Sequence, residues 1–105
     1  MFIVKLHYTK PLSEIDRLMN DHVRFLEDCF RAGVFIAAGR QVPRIGGVIL
    51  AVGPGKEDLE EILQHDPFIV AHAANYEIVE FRTSLHHPVL APFADPSTRA
   101  VQDAP

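Results

Sequence analysis

Between Phe2 and Arg82 the spacing of apolar residues changes from two to three-and-four and back again, twice, and few folds accept that order. Phe2 to Tyr8 alternates: Phe2, Val4, Leu6 and Tyr8 point one way, Ile3, Lys5 and His7 the other, and Lys10-Pro11 ends the strand. Ser13 then reads as an N-cap, with Glu14 and Asp16 in the first turn. Ile15, Leu18, Met19, Phe25, Leu26, Cys29 and Phe30 follow at threes and fours, which predicts a helix closed by Gly33. Val34–Ala38 and Gly47–Val52 read as two strands joined by a turn containing Pro43 and Gly46. Lys56–Gln64 reads as a second helix, Asp66-Pro67 as the capped start of a short helical segment, and Tyr76–Arg82 as the last strand. The order predicts an α+β, ferredoxin-like β-α-β-β-α-β domain, a four-stranded antiparallel sheet with its helices on one face.

Helices on one face leave the other bare. In the third strand Val48, Leu50 and Val52 alternate with Ile49 and Ala51, so both of its faces are apolar, which predicts a homodimer with facing sheets. With 105 residues there is room for one domain, expected over 1–83. Residues 84–105 carry Pro88, Pro92, Pro96 and Pro105 with little periodicity and read as a non-regular, Pro-rich tail. His86, His87, Val89, Leu90 and Phe93 make that tail stickier than a disordered segment.

The net charge is -4 and the 10 Lys and Arg are scattered, so no concentrated positive patch exists for nucleic acid or an anionic membrane surface. No run is long enough to span a bilayer and no signal peptide is visible, so a cytoplasmic protein is expected. Cys29 is the single cysteine, so an internal disulfide and a multi-cysteine zinc site are both excluded. Its place in the helical stripe predicts a buried small hydrophobe.

His22 lies on the apolar face of the first helix, four residues after Leu18 and three before Phe25. An imidazole aimed at a core needs a hydrogen-bond partner. It is either a satisfied core histidine or a general acid-base, since His titrates nearest neutral pH. Asp66 is the candidate partner, and taken alone it is also an ordinary helix cap. Arg40 follows the small residues Ala37-Ala38-Gly39, where space exists for an anion that a guanidinium could hold, or it is a surface residue at a strand end. His7, His65 and His72 lack metal-ligand spacing, and no phosphate loop, nucleophile elbow or dinucleotide fingerprint occurs, so neither metal nor cofactor is expected.

Asp21-His22, Gly33 with Ala37-Ala38-Gly39, Asp66-Pro67-Phe68 and Tyr76-Glu77-Ile78, in that order from Phe2 to about Phe81, resemble the YCII-related family of the dimeric α/β-barrel superfamily. The resemblance implies a ferredoxin-like protomer, two sheets packed into a barrel, and a pocket His-Asp pair that falls on His22 and Asp66. One branch resembles dehydrochlorinases of chlorinated hydroxyquinols, and related barrels include muconolactone isomerases and cofactor-free monooxygenases. Two functions follow as expectations. One is a cofactor-independent enzyme using His22 and Asp66 for elimination or isomerisation of a small cyclic or aromatic acid, with Arg40 on its anionic group. The other is a non-catalytic dimeric domain that binds a small ligand or serves as an accessory.

Overall fold

A computed structural model describes residues 1–96 and 98–101. Strand β1 (Phe2–Tyr8) leads into helix α1 (Leu12–Arg31), and β2 (Phe35–Arg40) and β3 (Gly46–Ala51) form a hairpin. Helix α2 (Lys56–Leu63), the single turn α3 (Pro67–Val70) and β4 (Ala74–Glu80) follow. The sheet order is β2-β3-β1-β4, antiparallel at every pairing. This is the ferredoxin-like α+β arrangement.

Register decides what each face offers. One face presents the rows Phe35–Ala51–Phe2–Glu80, Ala38–Ile49–Val4–Ile78 and Arg40–Gly47–Leu6–Tyr76. The helices cover it: Phe2, Val4, Leu6, Phe35, Ile49 and Ala51 are buried together with Ile15, Leu59, Leu63 and Phe68. Fully burying each of the large members contributes roughly 1.5–3 kcal/mol. The opposite face presents Ala37–Leu50–Ile3–Val79 and then Gly39–Val48–Lys5–Glu77, with Val79 47% exposed and Lys5 3.6 Å from Glu77. Gly46 must be glycine, because a Cβ there would lie 1.8 Å from the Leu6 carbonyl oxygen. Gly33 takes φ +76 and closes α1.

Several boundaries move. Ser13 is not the cap of α1: the helix begins at Leu12, and the Pro11 carbonyl accepts from the amides of Glu14 (2.9 Å) and Ile15 (3.2 Å). The fixed φ of proline suits this position, so no side-chain oxygen is needed. β2 runs on through Gly39 and Arg40, and β4 starts two residues earlier than alternation suggests, because pairing with β3 and β1 outweighs local preference. No described helix is long and apolar enough to cross a membrane.

The described part of the tail is more regular than its prolines suggest. Strand β5 (Leu85–His86) pairs in parallel with β6 (Arg99–Ala100), and a 3-10 helix (Pro88–Phe93) lies between them. Asp95 Oδ2 accepts from the amide (2.6 Å) and hydroxyl (3.1 Å) of Thr83, clasping the start of this loop to its return. Two-residue strands leave no period to read, and Pro88 and Pro92 sit in the 3-10 turn, which makes few demands on their missing N–H groups. Pro105 and the rest of 102–105 lie outside the described residues, as does residue 97.

Cys29 is buried on α1. Burial, and to a lesser extent the charges of Asp28 and Asp66, push its thiol from an ordinary 9.0 up to about 11. The native protein is therefore expected to react with a disulfide reagent at pH 8 at least roughly a hundredfold more slowly than the unfolded chain, since the thiolate is the reactive form. Because the folded pKa is the higher one, the stability linked to this group holds below pH 9.0 and falls as pH rises toward 11. Reaction at equal rates with and without denaturant would contradict the burial.

Candidate functional site

α1 delivers His22 to the sheet because it shares the stripe of Ile15, Leu18, Met19 and Leu26. Its ring lies flat on Phe68, with centroids 3.9 Å apart and planes 12° from parallel. Its Nδ1 is 2.7 Å from Asp66 Oδ1. The same Oδ1 accepts from the Phe68 amide at 2.9 Å, so Asp66 caps α3 and holds His22 with one oxygen. The two structural readings of these residues are thus literally true, and they meet in one pair. Asp66 is fully buried, and its Oδ2 is the one described buried side-chain oxygen or nitrogen without a partner.

The carboxylate oxygen can only accept here, so Nδ1 carries the hydrogen and the tautomer is set by Asp66. That turns Nε2 outward. It makes no hydrogen bond to any described residue and retains accessible surface. Next to His22 is a cavity of about 250 Å³ between α1 and the sheet. Met19, Val23 and Leu26 wall it from α1, while Leu6, Ala38, Gly47 and Ile49 form the floor. The space exists because two floor positions, Ala38 and Gly47, are small and stand side by side in adjacent rows of the helix-covered face. Ala37 and Gly39, read with Ala38 as space-making, belong to the opposite register, and Gly39 reaches the cavity only along its own backbone.

Arg40 stands on the same face as the cavity, paired with Gly47 across the hairpin, and lines it. Among the described residues it has no ion-pair partner. His22, Asp66 and Arg40 are therefore brought to one place, two of them in contact and the third across the cavity. No group of three or more metal-ligating side chains occurs among the described residues.

Three participants escaped the sequence reading. Phe68, next to the Asp66-Pro67 cap, is the plate under the imidazole. Tyr8, the last residue of β1, lines the cavity with its ring set edge-on to Phe68 at 5.9 Å. Arg44, in the β2–β3 loop, reaches over to α1 and pairs with Asp16 at 2.5 Å. A separate depression of about 330 Å³ on the open face is lined by Lys5, His7, Gln41, Asn75 and Glu77, and the His-Asp pair is not part of it.

In this ferredoxin-like domain a histidine of the first helix is thus tied to the aspartate ahead of β4. The chain belongs to the YCII-related family, whose domain model matches residues 1–82. Among solved structures it is similar to 5-chloro-2-hydroxyhydroquinone dehydrochlorinase (TftG) from Burkholderia phenoliruptrix AC1100, in complex with 2,5-dihydroxybenzoquinone. The TM-score is 0.61 at 15% identity, over 79% of this chain and 95% of that one, a likeness of fold. No curated protein matches the sequence.

Proposed function

We propose that this protein is a homodimeric enzyme that moves a proton on a small cyclic or aromatic acid, with His22 as general acid-base, Asp66 as its orienting partner and Arg40 on the substrate's anionic group. The observation that carries this reading is His22 Nε2: the other ring nitrogen is fixed by a buried carboxylate at 2.7 Å, and Nε2 is left free beside a cavity. A core histidine with only a structural task has no need of that opening.

The chemistry follows from the geometry. Nε2 takes a proton from the substrate, and Asp66 stabilises the imidazolium that forms. In an elimination the electron pair left behind expels the leaving group as an anion. In an isomerisation the same proton returns at another carbon. The ring system fits an apolar slot of about 250 Å³ floored by Leu6 and Ile49, and Arg40 supplies the charge that an acid needs at its edge. His22 and Asp66 supply proton transfer without a cofactor. The fold-level likeness to a dehydrochlorinase adds support for elimination among these alternatives.

The test uses 2,5-dihydroxybenzoquinone and muconolactone as probes. Binding is followed by absorbance or thermal shift, and proton transfer by loss of ring C–H signals in deuterated water. Enzyme-dependent exchange on either probe is the expected result. Saturable binding without exchange would leave a ligand-binding domain, and no binding would remove this substrate class.

The dimer has its own test. The open face carries Ile3, Leu50 and Val79 in one cross-strand row, which a second copy would cover. Leu50→Arg places a charge in that row and is expected to give a folded monomer by sedimentation at micromolar concentration, where the native chain sediments as a dimer. A native chain that sediments as a monomer would sink the facing-sheet assembly.

A further inference from the structure

We propose that Tyr8 is the second proton-handling residue of this cavity, its hydroxyl donating to the substrate oxygen on which charge develops while His22 Nε2 attends to the carbon. The inference rests on the proton-transfer reading above and names the group that reading lacks. Taking a proton from carbon beside a carbonyl pushes electrons onto the oxygen, and His22 cannot serve both ends of that shift.

Tyr8, His22 and Arg40 are the hydrogen-bonding side chains lining the cavity. Tyr8 closes β1 on the helix-covered face, in the same alternation as Leu6 and Val4, and pairs with Ala74. Its amide is tied to the Ile45 carbonyl at 2.9 Å, which fixes its backbone against the β2–β3 loop. Its ring stands at 81° to that of Phe68 with centroids 5.9 Å apart, and the face of Phe68 carries the imidazole. One phenyl ring therefore positions both groups.

Its hydroxyl proton is free for donation. The Arg44 guanidinium, anchored by Asp16, lies beside that hydroxyl. Arginine has no acceptor, so the hydroxyl can only accept from it, and its own hydrogen remains for a ligand. The other tyrosine is placed differently: the Tyr76 hydroxyl accepts from Gln64 Nε2 at 3.1 Å, and Tyr76 does not line this cavity.

The step balances. The C–H bond breaks and its hydrogen goes to Nε2. The electron pair becomes a C=C bond, and the carbonyl π pair moves to oxygen. That oxygen takes the Tyr8 proton, leaving a phenolate beside Arg44. Return of both protons, one at a new carbon, completes an isomerisation with no other reactant.

Tyr8→Phe removes the hydroxyl and keeps the ring. On 2,5-dihydroxybenzoquinone or muconolactone, whichever the native protein exchanges, kcat for carbon-proton exchange is expected to fall roughly a hundredfold with KM changed less than about threefold. Tyr76→Phe is the control and should leave the rate as it was. A fall of tenfold or more supports the assignment, and a smaller one overturns it. If Tyr8→Phe does not fold, 3-fluorotyrosine at position 8 keeps the packing and makes the hydroxyl more acidic; an altered exchange rate then supports the role and an unaltered one overturns it. Absence of exchange by the native protein itself removes the proton-transfer reading and this role with it. Exchange that needs His22 but not Tyr8 removes only the role.

Discussion

Asp66→Ala is expected to destabilise the folded protein by about 3–4 kcal/mol in chemical denaturation, more than any other single polar substitution in the domain. The carboxylate is fully buried, and one of its oxygens serves two donors, His22 Nδ1 at 2.7 Å and the Phe68 amide at 2.9 Å. Alanine strands both. The cap of α3 accounts for about 1 kcal/mol of the loss, and a buried imidazole without a partner for most of the rest. Asp66→Asn separates these effects. Its side-chain oxygen can still accept from both donors, so it should cost less than about 1.5 kcal/mol, yet it cannot balance charge on the imidazole. A loss below about 1 kcal/mol for Asp66→Ala would mean that α3 is held by Phe68 packing and not by its cap.

How much of this could be read in advance depended on distance along the chain. β1 is bounded by its own alternation and by Lys10-Pro11, so its limits match the sequence reading. The stripe of α1 placed His22 on the inner face for the same local reason. The contact of His22 with Asp66 spans 44 residues, and neither neighbourhood encodes it. What suggested it was a histidine on an apolar helix face in need of a partner, an aspartate at a helix cap as the candidate, and a family resemblance whose His-Asp pair falls on these two positions. The turn after α2 makes the meeting possible: the Asp66 amide bonds the Leu63 carbonyl at 3.1 Å and brings the chain back toward α1. Alternation ends the second strand at Ala38, with Arg40 at the strand end, but pairing with Val48 and Gly47 carries β2 through Gly39 and Arg40. Tyr8 was hidden by its own regularity. In an alternating strand it reads as one more apolar body, and only the small floor residues Ala38 and Gly47 open the space that makes it part of a cavity wall. Arg44 was hidden because a loop residue carries no period, and its contact with Asp16 is made across the fold.

His22→Gln is expected to reduce carbon-proton exchange on the probe compounds by about a thousandfold, within the range ascribed to a positioned general base. Glutamine is chosen over alanine because its amide N–H can still donate to Asp66 Oδ1. The buried carboxylate then keeps a partner, and α3 keeps its cap. The stack on Phe68 at 3.9 Å is lost, which should lower the melting temperature by a few degrees and leave the assembly unchanged. An amide has no basic nitrogen to aim into the cavity, so the hydrogen bond survives while proton transfer does not. That separation is what distinguishes the two readings of the pair. If His22 is a core residue satisfied by Asp66, the glutamine variant should differ from the native protein in stability alone, with exchange within about threefold. If Nε2 is the base, exchange should collapse while binding of 2,5-dihydroxybenzoquinone, held by Arg40 and the apolar slot, persists. Loss of binding together with exchange would instead assign His22 to holding the ligand, and the proton would have to leave by another route.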